Sequence, residues 1–333
     1  MERATIEALA RASGRPAVSM VCPLDTRRPG NTEDPLRLAE LRAEAAVLLA
    51  ESANGEAPAI LRRVDDAIAS IDLEHPMPAV GIFVTADESH VLMLGVPMPA
   101  RVVVDETFAL RDVVTAVSRA TRVRVLALSR ARTRCFDLSD VAIVERDDFG
   151  FPVQIAPPIQ EDTPHRDLPI GEHEHDEVAK QVFRAVIQAL DHVQHADPRP
   201  LVLLGPERDL AYFDAVARLE PAAVMGRAHG NYDRETAAEI AELARPVVDA
   251  AVHAREAVLV AQVHEAIGRR ALSGFDPVWD AARTGRGHRL VVEEGYARGD
   301  PLVREVVLHG GEVDVVSAGT LADLGHVALF LRY

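Results

Sequence analysis

Lysine is all but missing from this chain of 333 residues: Lys180 is the only one, and arginine supplies the other cations. We read that bias as codon usage in a GC-rich genome rather than as selection for bidentate phosphate binding. Aromatic residues make up only 4% of the chain, so its cores must be built from Ala, Val and Leu. Cysteine is nearly absent too. Cys22 and Cys135 form neither a CxxC pair nor a zinc-ligand spacing, which leaves buried thiols in a reducing cytoplasm as the expectation. No apolar run reaches the roughly 18 residues of a membrane span, and the opening "MERATIEALARASG" reads as a charged amphipathic helix rather than a signal peptide. Positive charge is also in deficit. The net charge of −16 repels nucleic acid at long range, so any RNA contact must use a local basic patch.

What is present is an alternation of strands and amphipathic helices. With 48% hydrophobic residues the chain can fill two or three domain cores. "AVSMVC" (Ala17–Cys22) reads as a strand, followed by the turn-rich loop "PLDTRRPGNTEDP". Asp34 is placed to cap a helix whose first residue is Pro35, and a second helix is expected over Pro58–Ile71. "AVGIFVTADESHVLMLGVP" has the pattern of a hairpin, and "ARVVVDE" adds a strand.

Three short strands then follow in "RVRVLALSRARTRCFDLSDVAIVERD". The next helix, from His175, is expected to bury a face of Val178, Val182, Phe183, Val186, Ile187 and Leu190. Pro200–Gly205 is apolar throughout, which predicts a central strand covered on both faces. A helix in "PERDLAYFDAVARL" and a strand in "AAVMGR" complete this part. From Asn231 to about Leu272 the pattern is helical, with a kink or break expected at Pro246. The tail alternates strands and helices. The fold class is therefore α/β or α+β, with expected divisions at 1–118, 119–230 and 231–333.

Motifs that would carry chemistry are weak. "TPHRDLPIGEHEHDEV" gathers His165, His173 and His175 among carboxylates around Gly171. A helical zinc pair needs a spacing of four, and neither Cys135 nor another histidine cluster stands where it would complete four ligands. A metal-dependent hydrolase and a solvated acidic connection leading into a helix N-terminus are the competing readings. "GRGHR" and "HGG" lack the spacing of phosphate-binding loops, and there is no GxSxG elbow. "VRVLALS" and "LVLLG" carry no carboxylates for a metal-dependent nuclease. No cofactor is expected. Arg27 and Arg28, with Arg130, Arg132 and Arg134, are the only cationic clusters on expected loops or hairpins, read either as scattered surface charge or as phosphate contacts.

The tail "GGEVDVVSAGTLADLGHVALFLRY" resembles the end of archaeo-eukaryotic peptide-chain release factors and of Pelota. "GIFVTADESHVLMLGVPMPARVVVDETFALRDVV", "VLALSRARTRCFDL", "GFPVQI", "GNYDRETAAEIAELARPVVDA" and "AARTGRGHRLVVEEG" are similar, in order, to blocks of the bacterial archaeo-eukaryotic release factor family, and best to its third subfamily. The resemblance implies an N-terminal α/β domain, an RNase H-like middle domain and an L7Ae-like last domain. It implies a cytoplasmic, ribosome-associated protein contacting rRNA, with a translational GTPase as a further partner and no DNA or membrane. In release factors the loop before the long middle-domain helix carries Gly-Gly-Gln. The matching stretch here, Thr163–Asp176, has one glycine, no glutamine and strong negative charge. The resemblance thus implies a non-catalytic relative, with His165, Gly171, His173 and His175 marking a degenerate loop. An acidic protein-binding adaptor is the third reading.

Overall fold

A computed structural model describes residues 3–12, 14–52, 55–154, 172–220 and 223–332, with the side chains of 172–175 outside that description. His165, Gly171 and Tyr333 fall outside the described residues, as do the side chains of His173 and His175. The chain divides into two compact units: residues 1–120 with 256–333, and residues 121–255.

In the first unit, helix α1 (Arg3–Arg11) precedes strand β1 (Ala17–Pro23), helices α2 (Glu33–Glu51) and α3 (Ala57–Ala69), and strands β2 (Ala79–Val84), β3 (Ser89–Leu94) and β4 (Arg101–Asp105). The strands form one antiparallel sheet in the order β3-β2-β1-β4. Alternation sends Val18, Met20 and Cys22 to one face, where they pack with Val80, Ile82 and Val84 against Leu38, Leu41, Ile60 and Val64 of α2 and α3. Asp34 does not stand before its helix as expected. It lies in the first turn of α2, buried, accepting from the Asp25 N–H at 3.0 Å and from Arg37 at 2.8 Å. Helix α4 (Arg111–Arg119) is an element the sequence reading did not identify.

The second unit holds β5 (Arg122–Ala127), β6 (Arg134–Ser139), β7 (Ile143–Arg146), α5 (Glu172–Ala196), β8 (Leu201–Gly205), α6 (Glu207–Val216) and β9 (Val224–His229). Its sheet runs β7-β6-β5-β8-β9. β5, β8 and β9 are parallel, and β6 is antiparallel to both of its neighbours. Within the segment this is the order third, second, first, fourth, fifth with only the second strand reversed. β8 is covered on both faces, as its apolar run predicts. Leu201 and Leu203 meet Phe183, Val186 and Leu190 of α5, while Val202 and Leu204 meet the other helical layer.

That layer is the first half of α7 (Ala237–Ala266), with Ile240, Ala241, Ala244 and Val248 buried. The helix runs through Pro246 without a break. Pro246 is exposed, and so is Glu242, the residue whose carbonyl loses its donor, so water can take that place. Val178, expected on the buried face of α5, is instead 53% exposed in the helix's early turns, and Ile187 is only partly buried. The buried stripe is Ala179, Val182, Phe183, Val186, Ala189, Leu190 and Val193. Arg124, fully buried, ties the end of α5 to the sheet through Asp137 at 2.9 Å and Gln194 at 2.6 Å.

The first unit resumes with the second half of α7, then β10 (Ala271–Ser273), α8 (Phe275–Arg283), β11 (Gly287–Glu293), α9 (Gly299–Leu308), β12 (Glu312–Val316), a short 3-10 turn (Ala322–Leu324) and β13 (Val327–Leu331). β10 lies where the sequence reading carried the helix onward. The sheet order is β10-β13-β11-β12, with β13 interior. α8 and α9 pack on one face through Val278, Leu302, Val303 and Val306; Leu259 and Val263 of α7 pack on the other. Leu329 is fully buried as expected, whereas Phe330 is only partly so. Gly310 has φ +73°, the left-handed turn expected there, and a Cβ on Gly311 would sit 2.5 Å from Val306 Cγ1. One core joins the ends of the chain: Ile6, Leu9, Phe83, Phe108 and Val113 pack with Val278, Leu290, Leu302 and Leu329. Arg101 bridges Asp112 at 2.7 Å and Asp300 at 2.6 Å across the same junction.

Candidate nucleic-acid interface

The five cations singled out in the sequence lie in two places. Arg27 and Arg28 are exposed on the loop between β1 and α2. Arg28 is held by Asp25 at 2.9 Å and Glu33 at 3.1 Å. Asp25 in turn accepts the Arg27 N–H at 2.9 Å, and that contact and the Arg28 guanidinium hold its carboxyl below the usual range, the guanidinium more strongly. Of these two, Arg28 is paired and the Arg27 side chain has no ion pair among the described residues.

Arg130, Arg132 and Arg134 lie in or next to the loop joining β5 to β6, in the second unit. Their roles differ. Arg134 is buried; it donates to the carbonyls of Tyr232 (2.9 Å) and Glu235 (2.8 Å) and stacks over Phe136. It pins the loop between β9 and α7 to the sheet. Arg132 is exposed and loosely paired with Glu145 at 3.6 Å. Arg130 is 48% exposed at its side chain, yet its Nε lies 2.9 Å from Oδ1 of Asp209, which is 5% exposed. The loop beneath them is built from its own hydrogen bonds: Thr133 Oγ1 donates to the Ser129 carbonyl at 2.9 Å and accepts the Ser129 N–H at 3.1 Å.

Topology gives this edge its meaning. From β5 the chain moves to β6 on one side, and from β8 it moves to β9 on the other, so the direction of winding changes between β5 and β8. In open α/β sheets ligands bind outside the carboxyl ends of the strands at such a switch point. Arg130 follows β5, Asp209 lies in the first turn of α6 directly after β8, and Asp233 follows β9. Gly205 lets the first two loops meet: a Cβ there would fall 3.0 Å from the Leu128 carbonyl oxygen.

Asp209 was missed by sequence reasoning. Its signal would have been an acidic residue just after a fully apolar strand, in "LVLLGPERD". Burial pushes its carboxyl above the usual range, and the charge of Asp233 adds to that; the charge, main-chain N–H and guanidinium of Arg130 act in the opposite direction. The guanidinium contact is an ion pair off the N–H axis, so Oδ1 has a charge partner but no aligned donor.

Neither cysteine offers a reactive thiol, since burial raises Cys22 to about 11 and Cys135 to about 12. Among the described residues no group of three or more His, Cys, Asp or Glu is placed to hold a metal ion, and no helix is long and apolar enough to cross a membrane.

Residues 123–286 match the model of bacterial archaeo-eukaryotic release factor family 3. No curated protein matches the chain. Among solved structures it is similar to Archaeoglobus fulgidus Pelota at 15% identity and a TM-score of 0.39, over 100% of this chain and 92% of that one. It is similar to a ribosome-bound archaeal Pelota from a structure with ABCE1 at 12% identity and a TM-score of 0.45, over 100% and 94%. Dom34 of S. cerevisiae, a translation termination-like factor, aligns at 12% identity and a TM-score of 0.43, over 74% and 73%.

Proposed function

From the premise that this is a bacterial archaeo-eukaryotic release factor-like protein, matched over residues 123–286, we propose that it is a non-catalytic factor that binds the ribosomal A site in rescue, stress or hibernation. The family match carries the reading, and it contains the whole β5–β6 loop. The stretch Thr163–Asp176 lacks the Gly-Gly-Gln that peptide release needs, and its carboxylates would repel rRNA phosphate. Contact is therefore assigned to local cations: Arg130 and Arg132 at the carboxyl edge of the second unit, and Arg27 with Arg28 on the first. The reading includes three domains at 1–118, 119–230 and 231–333, the last L7Ae-like and the contact for a translational GTPase, and a cytoplasmic setting. The test is sedimentation with 70S ribosomes from growing and stressed cells. Enrichment in the ribosome fractions under at least one condition is expected, and no enrichment under any condition sinks the proposal.

A further inference from the structure

The ion pair between Arg130 and Asp209 spans the switch point of the sheet, and its two members live in opposite environments. Asp209 is buried and anchored in the first turn of α6, where the helix N-terminus favours an anion. Arg130 is half exposed. The pair engages Nε, 2.9 Å from Oδ1, so the guanidinium is tethered by charge on the side of its stem while about half of the side chain stays exposed. A free surface arginine would have to surrender rotamer freedom on binding; one held from behind has already lost much of it.

We propose that Asp209 is a positioning residue that holds the Arg130 guanidinium across the β5/β8 crevice so that its outer edge takes a phosphate of RNA. Arg132 on the same loop supplies a second, looser positive charge. The backbone supports the geometry independently of the pair. The Ser129–Thr133 hydrogen bonds fix the loop, the Gly230 N–H donates to the Gly205 carbonyl at 3.1 Å, and Arg134 ties down the loop after β9. All three loops at this edge are thereby fixed before any ligand arrives. The inference deepens the ribosome-binding reading by naming the residue pair that meets phosphate.

The experiment titrates the full chain with a labelled single-stranded oligoribonucleotide over a range of salt concentrations. Asp209→Asn makes the net charge one unit less negative, so charge alone would strengthen binding. Positioning predicts the reverse: affinity lower by on the order of tenfold, with the salt slope reduced by about one, as for loss of one phosphate contact. Arg130→Ala should give the same loss, and the double variant no further loss, because both changes disable one contact. Arg130→Lys keeps the charge without the fork and should also weaken binding, which tests the idea without disturbing the buried carboxylate.

Binding that is unchanged or tighter in Asp209→Asn, losses that add in the double variant, or no RNA binding by the wild type would each overturn the inference. If the RNA results hold while ribosome cosedimentation fails, the ribosome reading falls and the Arg130–Asp209 site stands.

Discussion

Two buried carboxylates, one in each unit, have similar exposure and opposite circumstances. Glu293, at the end of β11 in the first unit, is 4% exposed; Asp209 in the second is also 4% exposed. Glu293 is saturated. It accepts the Leu321 N–H, faces His326 Nδ1 at 2.8 Å and is bonded by the Gly319 N–H. Burial pushes its carboxyl up, but the three donors together outweigh that and leave it below the usual range. Asp209 has an off-axis cation and the main-chain N–H of Arg130, and burial still wins. A carboxylate surrounded by aligned donors is fastening a turn. One left with an oxygen lacking an aligned donor at the carboxyl edge of parallel strands is the group on which the proposed Arg130 site rests.

Cutting the chain after Gly325 breaks the Glu293 side of this comparison most severely. It removes His326 and all of β13, an interior strand with Val327, Ala328 and Leu329 buried, and leaves β10 and β11 without the neighbour between them. By apolar area the loss is on the order of 5 kcal/mol. The truncated protein should melt well below the full chain, and an equal melting temperature would contradict the interior placement of the strand.

A smaller break is Glu293→Ala, which strands the Leu321 and Gly319 donors and should cost about 2–4 kcal/mol in a denaturant titration. Asp209→Asn should cost less than this, because the amide oxygen can still accept the Arg130 main-chain N–H.

The two groups should also respond to pH in opposite directions. Glu293 is lowered, so its stabilising contribution is present above its unfolded pKa and is lost as pH falls through the folded one. Asp209 is raised, so its contribution is present below its unfolded pKa and is lost as pH rises through the folded one. Unfolding midpoints should therefore show wild type gaining on Glu293→Gln as pH rises towards about 4.5, and Asp209→Asn gaining on wild type as pH rises from about 3.8 through the folded-state titration of Asp209. Parallel curves would erase the distinction drawn here.

Smallest in stability are the loop cations. Arg132→Ala should change folding by no more than about 0.5 kcal/mol, since its pair with Glu145 is long and exposed. Arg27→Glu combined with Arg28→Glu should leave the chain folded and weaken ribosome cosedimentation. Unchanged sedimentation would remove the first unit's loop from the contact surface and leave the β5–β6 loop to carry it.

Much of the fold was legible because periodicity reports which face of an element is buried. β8 reads as a covered strand from Leu201 to Leu204, and it is one. The failures have physical causes. α4 buries Val113, Val114 and Ala116 in nine residues beginning directly after a loop, too short a run to stand out. Val178 carries the right spacing for the α5 stripe but sits early in that helix and is exposed. Pro246 breaks helices by intrinsic preference, yet Ile240, Ala244 and Val248 are held against the sheet on both sides of it, and tertiary packing overrides preference. The arginines of "SRARTR" look equivalent in the string. Packing alone separates Arg134, buried under carbonyls, from Arg130 and Arg132, which reach solvent.

The sequence by itself determined the mixed α/β class, most elements and the glycine turn at Gly310, because each is written in local spacing or in turn chemistry. Only the tertiary structure decided that the first and last segments share one core around Phe83 and Leu302, and that Arg130 meets Asp209. Those partners lie far apart along the chain, and no local pattern encodes a contact that exists only once sheets have formed and their connections have turned back over the strand ends.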